Sequence, residues 1–420
     1  MGHCISLSIY LLTIWMFLAF PSCGNRTYGD LDQEDPLVSR IDSLLRSAVL
    51  EHDIPGAAAF VSREGAVLYH NATGWRNMEA RIPLRRNDLF RMASMTKALT
   101  AVAVLQLVEQ NLIHLDDALY TYIPEFKNPG ILMEVLPDSG FTSREAQGEI
   151  TIRQLLTHTS GIGYGFQDEI YNALIVKHDI SEGFEDDQRS SLDNIQRLAG
   201  LPLLFEPGEK YVYGLSYDVL GVVIEKVSDL RYDRYIDKYI LEPLEMKDSY
   251  FLVPEEEQHR LVSVYQPRDD GSGLEPTTYA DTAYPVVADK QFFSGGSDLC
   301  STAGDYAKFL QMLMNGGEYH GSRILPEASV STMLSKQTPF DDGNYHQGFA
   351  AWVINEEGAV EGPRGVGSFE FGGFFDTFCW TDPETGLIAI LLLQMYPNNS
   401  CDIHGKFRDV IFSVIRESEH

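Results

Sequence analysis

The chain has 420 residues and is poor in cysteine and in positive charge. It carries five cysteines. Cys4 and Cys23 belong to the N-terminal segment, leaving Cys300, Cys379 and Cys401, an odd number at wide spacing. That pattern gives neither a disulfide framework nor a cysteine metal site. No His/Cys or His/Glu cluster has ligand spacing, so no metal is expected. Lys and Arg total 32 against 61 Asp and Glu, a net charge of −29. Nucleic acid and anionic membrane surfaces would be repelled by such a chain. There is no Gly-x-Ser-x-Gly, the nucleophile elbow of a Ser-His-Asp hydrolase. Internal repeats and low-complexity segments are absent too.

The apolar run at the start, Ile5 to Phe20, has 16 residues and is short for a membrane span. Pro21-Ser22-Cys23-Gly24 follows, with small residues around a cysteine. The segment reads as a secretory signal over 1–22, removed on export. Cys23 resembles a bacterial lipoprotein site, which would make it the lipidated first residue of an exported, periplasmic or cell-envelope protein. The absence of Lys or Arg in Met1-Gly2-His3 departs from that pattern. Gly2 with Ser6 also matches an N-myristoylation sequence, but the apolar segment behind it favours the signal. Residues 23–34 are polar and read as a tether.

What remains is globular in composition, 44% hydrophobic and 22% charged. It is organised around Phe90-Arg91-Met92-Ala93-Ser94-Met95-Thr96-Lys97. Ser94 and Lys97 open the apolar run Ala98 to Val108, which reads as a buried helix. Three residues apart on a helix, hydroxyl and amine share a face, and a Ser against an amine is an activated nucleophile. The free N–H groups of a first turn would stabilise an oxyanion there. Such a spacing arises by chance about once in a chain of this size, but no other Ser here has a Lys three residues on.

Leu37, Ile41, Leu44, Leu45, Ala48 and Val49 follow Asp35-Pro36 at helical spacing. Ala57 to Val61 and Ala66 to Tyr69 read as strands of a hairpin around Arg63-Glu64-Gly65. Residues 120 to 290 show Pro, Gly, charged loops and short helical patterns, clearest at Thr151–Thr157 and Tyr217–Val227. Thr302 to Met314 is helical. Strand patterns return at Ala350–Ile354, Phe378–Thr381 and Leu387–Gln394, before a closing helix from about Asp402 to Arg416. The arrangement predicts an α/β sheet domain from 35–114 and 291–420, with 115–290 as a helical insert.

Several stretches together resemble the penicillin-recognising serine hydrolases: class C β-lactamases, D-alanyl-D-alanine carboxypeptidases and β-lactamase-like esterases. They are Ser94-Met95-Thr96-Lys97, Leu115-Asp116-Asp117, Ile152 to Gly161, Phe205-Glu206-Pro207-Gly208, Tyr213 to Gly221, Gly295-Gly296 to Asp305, and Phe371-Gly372-Gly373. The resemblance implies a β-lactamase/transpeptidase-like fold, an antiparallel sheet flanked by helices with a mostly helical insert. It implies Ser94 as nucleophile, Lys97 as base, Tyr213 as proton relay, and an oxyanion hole from the N–H groups of Ser94 and Phe374.

Two departures bear on substrate. Leu215 stands where β-lactamases and carboxypeptidases of this type usually have Asn. Phe371 precedes Gly372-Gly373 where a Lys or His is usual. Both point to an uncharged acyl group and to the esterase branch. The expectation is a serine hydrolase acting on small esters or related acyl compounds, with no metal or organic cofactor. Its partners would be a small-molecule acyl substrate and, through lipid, a membrane. The alternative is hydrolysis of a β-lactam or a D-amino-acid peptide. A binding-only module is the non-enzymatic rival, disfavoured by the intact Ser94, Lys97 and Tyr213. His158 with Ser160 is the competing base and nucleophile, and is read as structural. Asp305 is read as structural too.

Overall fold

The computed structural model describes residues 35–137, 140–184, 188–277, 284–286, 289–340, 343–397 and 402–418. The expected signal segment, the tether with Cys23, and Cys401 lie outside these residues.

One antiparallel sheet has strands, in chain order, β1 Gly56–Arg63, β2 Ala66–Asn77, β3 Ile82–Pro83, β4 Tyr345–Gln347, β5 Trp352–Ile354, β6 Phe369–Gly373, β7 Thr377–Asp382 and β8 Leu387–Leu392. Their spatial order is β4-β5-β6-β7-β8-β1-β2-β3. The N-terminal hairpin therefore joins the C-terminal strands through β1 and β8, where Ala58 faces Leu392 and Phe60 faces Ile390. Leu387-Ile388-Ala389-Ile390-Leu391-Leu392 is apolar at every position because both faces of this central strand are covered.

The two-residue period of a strand sorts these side chains. Ala57, Ala59 and Val61, with Leu387, Ala389 and Leu391, pack on one face against Leu37, Ile41 and Leu45 and against Phe407 and Ile411. Those partners belong to the first helix, Pro36–Leu50, and the last, Ile403–Ser418. Asp35 caps the first helix by accepting from the Leu37 N–H at 2.8 Å. Ala58, Phe60, Ile388 and Ile390 turn to the other face and enter the main core. That core runs on through the helix Thr96–Glu109 into the residues after 115. Thr96–Glu109 is apolar around most of its circumference and lies inside the molecule. Among the described residues, 115–290 hold short helices and two two-stranded pairs, Gly130–Val135 with Phe141–Glu145 and Tyr265–Pro267 with Leu274–Pro276.

Three local differences from the sequence reading have physical causes. Strand β2 runs to Asn77 because it pairs with β1 and then with β3. Strand β5 begins at Trp352, not Ala350, since Ala350 has φ 59°, a left-handed conformation outside the β region. Ser94 lies in a 3₁₀ turn, Ala93–Met95, and the α-helix starts at Thr96. The turn is entered through Ala93 at φ 47° and held by the Thr96 hydroxyl, which donates to the Ala93 carbonyl at 2.6 Å. A non-glycine residue with positive φ is strained, and such strain concentrates at functional sites.

Candidate active site

The 3₁₀ turn presents the Ser94 hydroxyl at the end of the buried helix, and two other side chains converge on it. Lys97 Nζ donates to Ser94 Oγ at 3.2 Å, and the Tyr213 hydroxyl donates to the same oxygen at 2.6 Å. Lys97 Nζ also lies 4.6 Å from the centre of the Tyr213 ring. The Lys97 side chain is buried, 3% exposed, and donates further to the Gly296 carbonyl at 2.9 Å and the Tyr164 hydroxyl at 3.4 Å. Its environment is therefore dry yet supplied with acceptors.

Burial pulls the Lys97 ammonium down to about 7, against the opposing pull of the Asp218 carboxylate. Burial pushes the Tyr213 phenol well above its ordinary range, and the bond to Ser94 opposes this only in part. Near neutrality the amine can accept a proton, while the phenol stays protonated and can donate one. Geometry and charge thus distinguish the two groups that flank the hydroxyl.

The third expected segment, Phe371-Gly372-Gly373, ends strand β6. A Cβ on Gly373 would collide with the Met92 carbonyl oxygen and the Thr377 hydroxyl, so glycine lets this strand press against the entry to the Ser94 turn. Two hollows meet here. The larger, about 290 Å³, lies beside Ser94, Tyr213 and Gly373, walled by Tyr164, Phe166, Phe184 and Phe374. The smaller, about 70 Å³, is bounded by Ser94, Lys97, His158, Gln347 and Phe371. Gly372 borders both. A hollow of about 630 Å³ near Arg231 and Pro254 is bigger but has no Ser–Lys–Tyr set.

Leu215, expected to face the substrate, does not. It is fully buried in the main core and borders neither hollow beside Ser94. It sits just before the helix Ser216–Ser228, where an apolar side chain packs inward. Phe371 is likewise mostly buried, yet it reaches the smaller hollow. Tyr164, which carried no signal in the sequence, faces the lysine instead. Asp218 was also missed, although an acid in the apolar run Tyr217 to Ile224 was a visible oddity.

The rival pair separates on inspection. Ser160 is fully buried and shares a hydrogen bond with the Ser216 hydroxyl at 2.9 Å, out of reach of substrate. His158 Nδ1 accepts from the Gly214 N–H at 3.4 Å and its ring lies 4.5 Å from that of Tyr213. Burial and the Lys97 cation hold this imidazole well below its usual range, so it stays neutral. Asp305 accepts from the Asp248 N–H at 2.6 Å and pairs with Lys308 at 2.7 Å, a structural clasp. Among the described residues, no group of three or more His, Cys, Asp or Glu is placed to hold a metal ion.

Residues 41–409 match the family model described as Beta-lactamase. The chain belongs to the β-lactamase family. Protein Rv1367c of Mycobacterium tuberculosis is 31% identical to this family member over 369 residues, 83% of this chain and 88% of its own length. Esterase EstB of Burkholderia gladioli is 28% identical over 407 residues, 90% of this chain and 95% of its own. Among solved structures, EstCE1, described as a hydrolase with promiscuous acyltransferase activity, superposes with a TM-score of 0.77 at 23% identity. The superposition covers 90% of this chain and 98% of that one, and shows a shared fold. This β-lactamase-family protein is an enzyme of the β-lactamase-like serine hydrolase branch.

Proposed function

We propose that the enzyme hydrolyses small esters through an acyl-enzyme on Ser94. The observation that carries this reading is Ser94 Oγ lying 3.2 Å from Lys97 Nζ and 2.6 Å from the Tyr213 hydroxyl, at the mouth of an aromatic hollow. As Oγ bonds to the ester carbonyl carbon, its proton passes to the Lys97 amine. The carbonyl oxygen becomes an oxyanion between the Ser94 turn and the start of the segment after β6, where N–H donors are expected. Collapse breaks the bond to the alkoxy group. Tyr213 gives that oxygen its phenolic proton and is reprotonated from Lys97. Water then attacks the acyl carbon, giving up its proton along the same path reversed, and releases the acid and Ser94.

Esters are favoured over penicillins because Phe371, which borders the smaller hollow and stands where the family resemblance leads one to expect Lys or His, offers no cation to a substrate carboxylate. The likeness to Esterase EstB supports the same choice. The test compares a nitrophenyl butyrate with a chromogenic cephalosporin, for wild type and Ser94→Ala. Ester turnover falling by roughly 10⁴-fold or more in the variant is expected, with a butyryl adduct on wild type alone. Ester turnover undiminished in Ser94→Ala would refute the nucleophile. Efficient cephalosporin turnover would move the activity to β-lactamase.

We further propose export with lipid on Cys23, a reading that rests on residues 1–24 alone. Palmitate labelling of the full chain that persists in Cys23→Ala would overturn it.

A further inference from the structure

Asp218 stands in the first turn of the helix Ser216–Ser228 and borders neither hollow beside Ser94. It is 3% exposed. Its Oδ1 accepts from the Ser294 hydroxyl, whereas its Oδ2 has no hydrogen-bond partner. A buried carboxylate oxygen without a donor is costly, and in native proteins it calls for a reason. An acid in a helical first turn gains from the helix dipole, but that applies equally to an exposed one.

Gly296 shows what Oδ2 faces. A Cβ built on this glycine would lie 2.9 Å from Asp218 Oδ2, 3.2 Å from the Tyr164 hydroxyl and 3.3 Å from Lys97 Nζ. Three polar atoms thus surround one point that only glycine leaves vacant. Carboxylate and amine are consequently within about 6 Å, the range over which opposite charges govern a proton equilibrium. The coupling runs both ways: Asp218 raises Lys97, and Lys97 lowers Asp218, each against the larger effect of burial.

The other groups around the pair do not replace this contact. Ser94, Tyr213, Tyr164 and the neutral His158 surround Lys97. Around Asp218, Tyr232 is a protonated phenol and Asp298 is ion-paired with the buried Lys290 at 3.2 Å. Ser297 bonds Ser294 at 2.9 Å and steadies the hydroxyl that holds Oδ1.

We propose that Asp218 is a positioning residue that balances the charge of Lys97 when the lysine takes the Ser94 proton, a role that rests on the Ser94–Lys97 reading above. The proton leaves Ser94 Oγ as the bond to the acyl carbon forms. The resulting ammonium is held by the Gly296 carbonyl and faces the Asp218 carboxylate. It loses the proton again through Tyr213 as the leaving group departs. Asp218 exchanges no proton and touches no substrate. It makes a trio of Ser94, Lys97 and Asp218 in which the acid acts only through the lysine.

The test is the pH dependence of kcat/KM on a nitrophenyl acetate for wild type, Asp218→Asn and Ser294→Ala, with Ser94→Ala as the blank. Wild-type activity should climb with pH through about 7 as Lys97 becomes neutral. Asp218→Asn keeps the shape and loses the charge. Without its counter-charge the ammonium gives up its proton more readily, so the climb should move to lower pH by one unit or more. The plateau kcat/KM should drop tenfold or more, because the nascent ammonium is no longer balanced. Ser294→Ala should give a smaller displacement in the same direction, and it decides the matter should Asp218→Asn not fold. A merely structural Asp218 would lower the plateau and leave the climb in place, and that result would overturn the proposal. A move to higher pH would overturn it as well. Activity undiminished in Ser94→Ala would remove the nucleophile reading itself, and the role of Asp218 with it.

Discussion

Replacing Tyr213 with Phe removes one oxygen and little else. The ring keeps its neighbours, His158 at 4.5 Å, Tyr164 at 5.6 Å and Lys97 Nζ at 4.6 Å. The hydroxyl has one hydrogen bond, to Ser94 Oγ at 2.6 Å. Losing such a bond costs about 0.5–1.5 kcal/mol of stability, which in a chain of this size moves Tm by a few degrees at most. Losing a positioned general acid costs about 10²–10⁴ in rate, or roughly 2.7–5.4 kcal/mol on the barrier. The kinetic penalty should therefore exceed the structural one severalfold, and a folded but slow enzyme is the expected product. Burst kinetics on an unactivated phenyl ester, whose departing oxygen is basic enough to need a proton, would separate the two half-reactions. Since Tyr213 is argued to move protons in both, the burst rate constant and the steady-state rate should fall together. If both stay within about threefold of wild type while Tm is unchanged, Lys97 works without a phenol and the relay is wrong. A fall in only one would confine Tyr213 to that half-reaction.

Two other substitutions probe the frame around this site. Gly373→Ala sets a methyl group against the Thr377 hydroxyl and the Met92 carbonyl, and the latter is backbone that cannot yield without moving β6 from the Ser94 turn. A displaced oxyanion donor costs about 2.7–4 kcal/mol, so kcat should drop roughly 10²- to 10³-fold, and a wild-type kcat would show that the close approach of β6 is not needed. Lys290→Met leaves Asp298 buried without its ion-pair partner, both side chains being fully enclosed. The expected loss is about 3–5 kcal/mol, read as a lower urea midpoint, and an unchanged midpoint would mean that Asp298 is held protonated.

The shared face of Ser94 and Lys97 was legible in the sequence, because spacings of three and four residues on a helix are set by backbone geometry alone. So were the short apolar runs Ala57 to Val61 and Leu387 to Leu392, whose length and β-branched or small apolar residues mark buried strands. The terminal helices could be read from their apolar stripes. These features depend on residues within a turn or a strand of each other, where covalent geometry leaves few options. Even so, whether Ser94 sits in a 3₁₀ or an α turn hinged on Ala93 adopting φ 47°, which no local pattern marks.

Tertiary structure decided the rest. Tyr213 reaches Ser94 across 119 residues of chain, and its place came from resemblance to known proteins rather than from any periodicity. Leu215, two positions further on, turns into the core because the helix behind it buries that side. Tyr164 and Asp218 meet Lys97 only where three distant segments pack around Gly296. Packing selects such contacts by excluding volume and water together, and both depend on every neighbour at once. The sequence determined which side chains could act as nucleophile and base. The fold determined their third partner, the dryness that pulls the lysine toward neutrality, and the carboxylate that faces it.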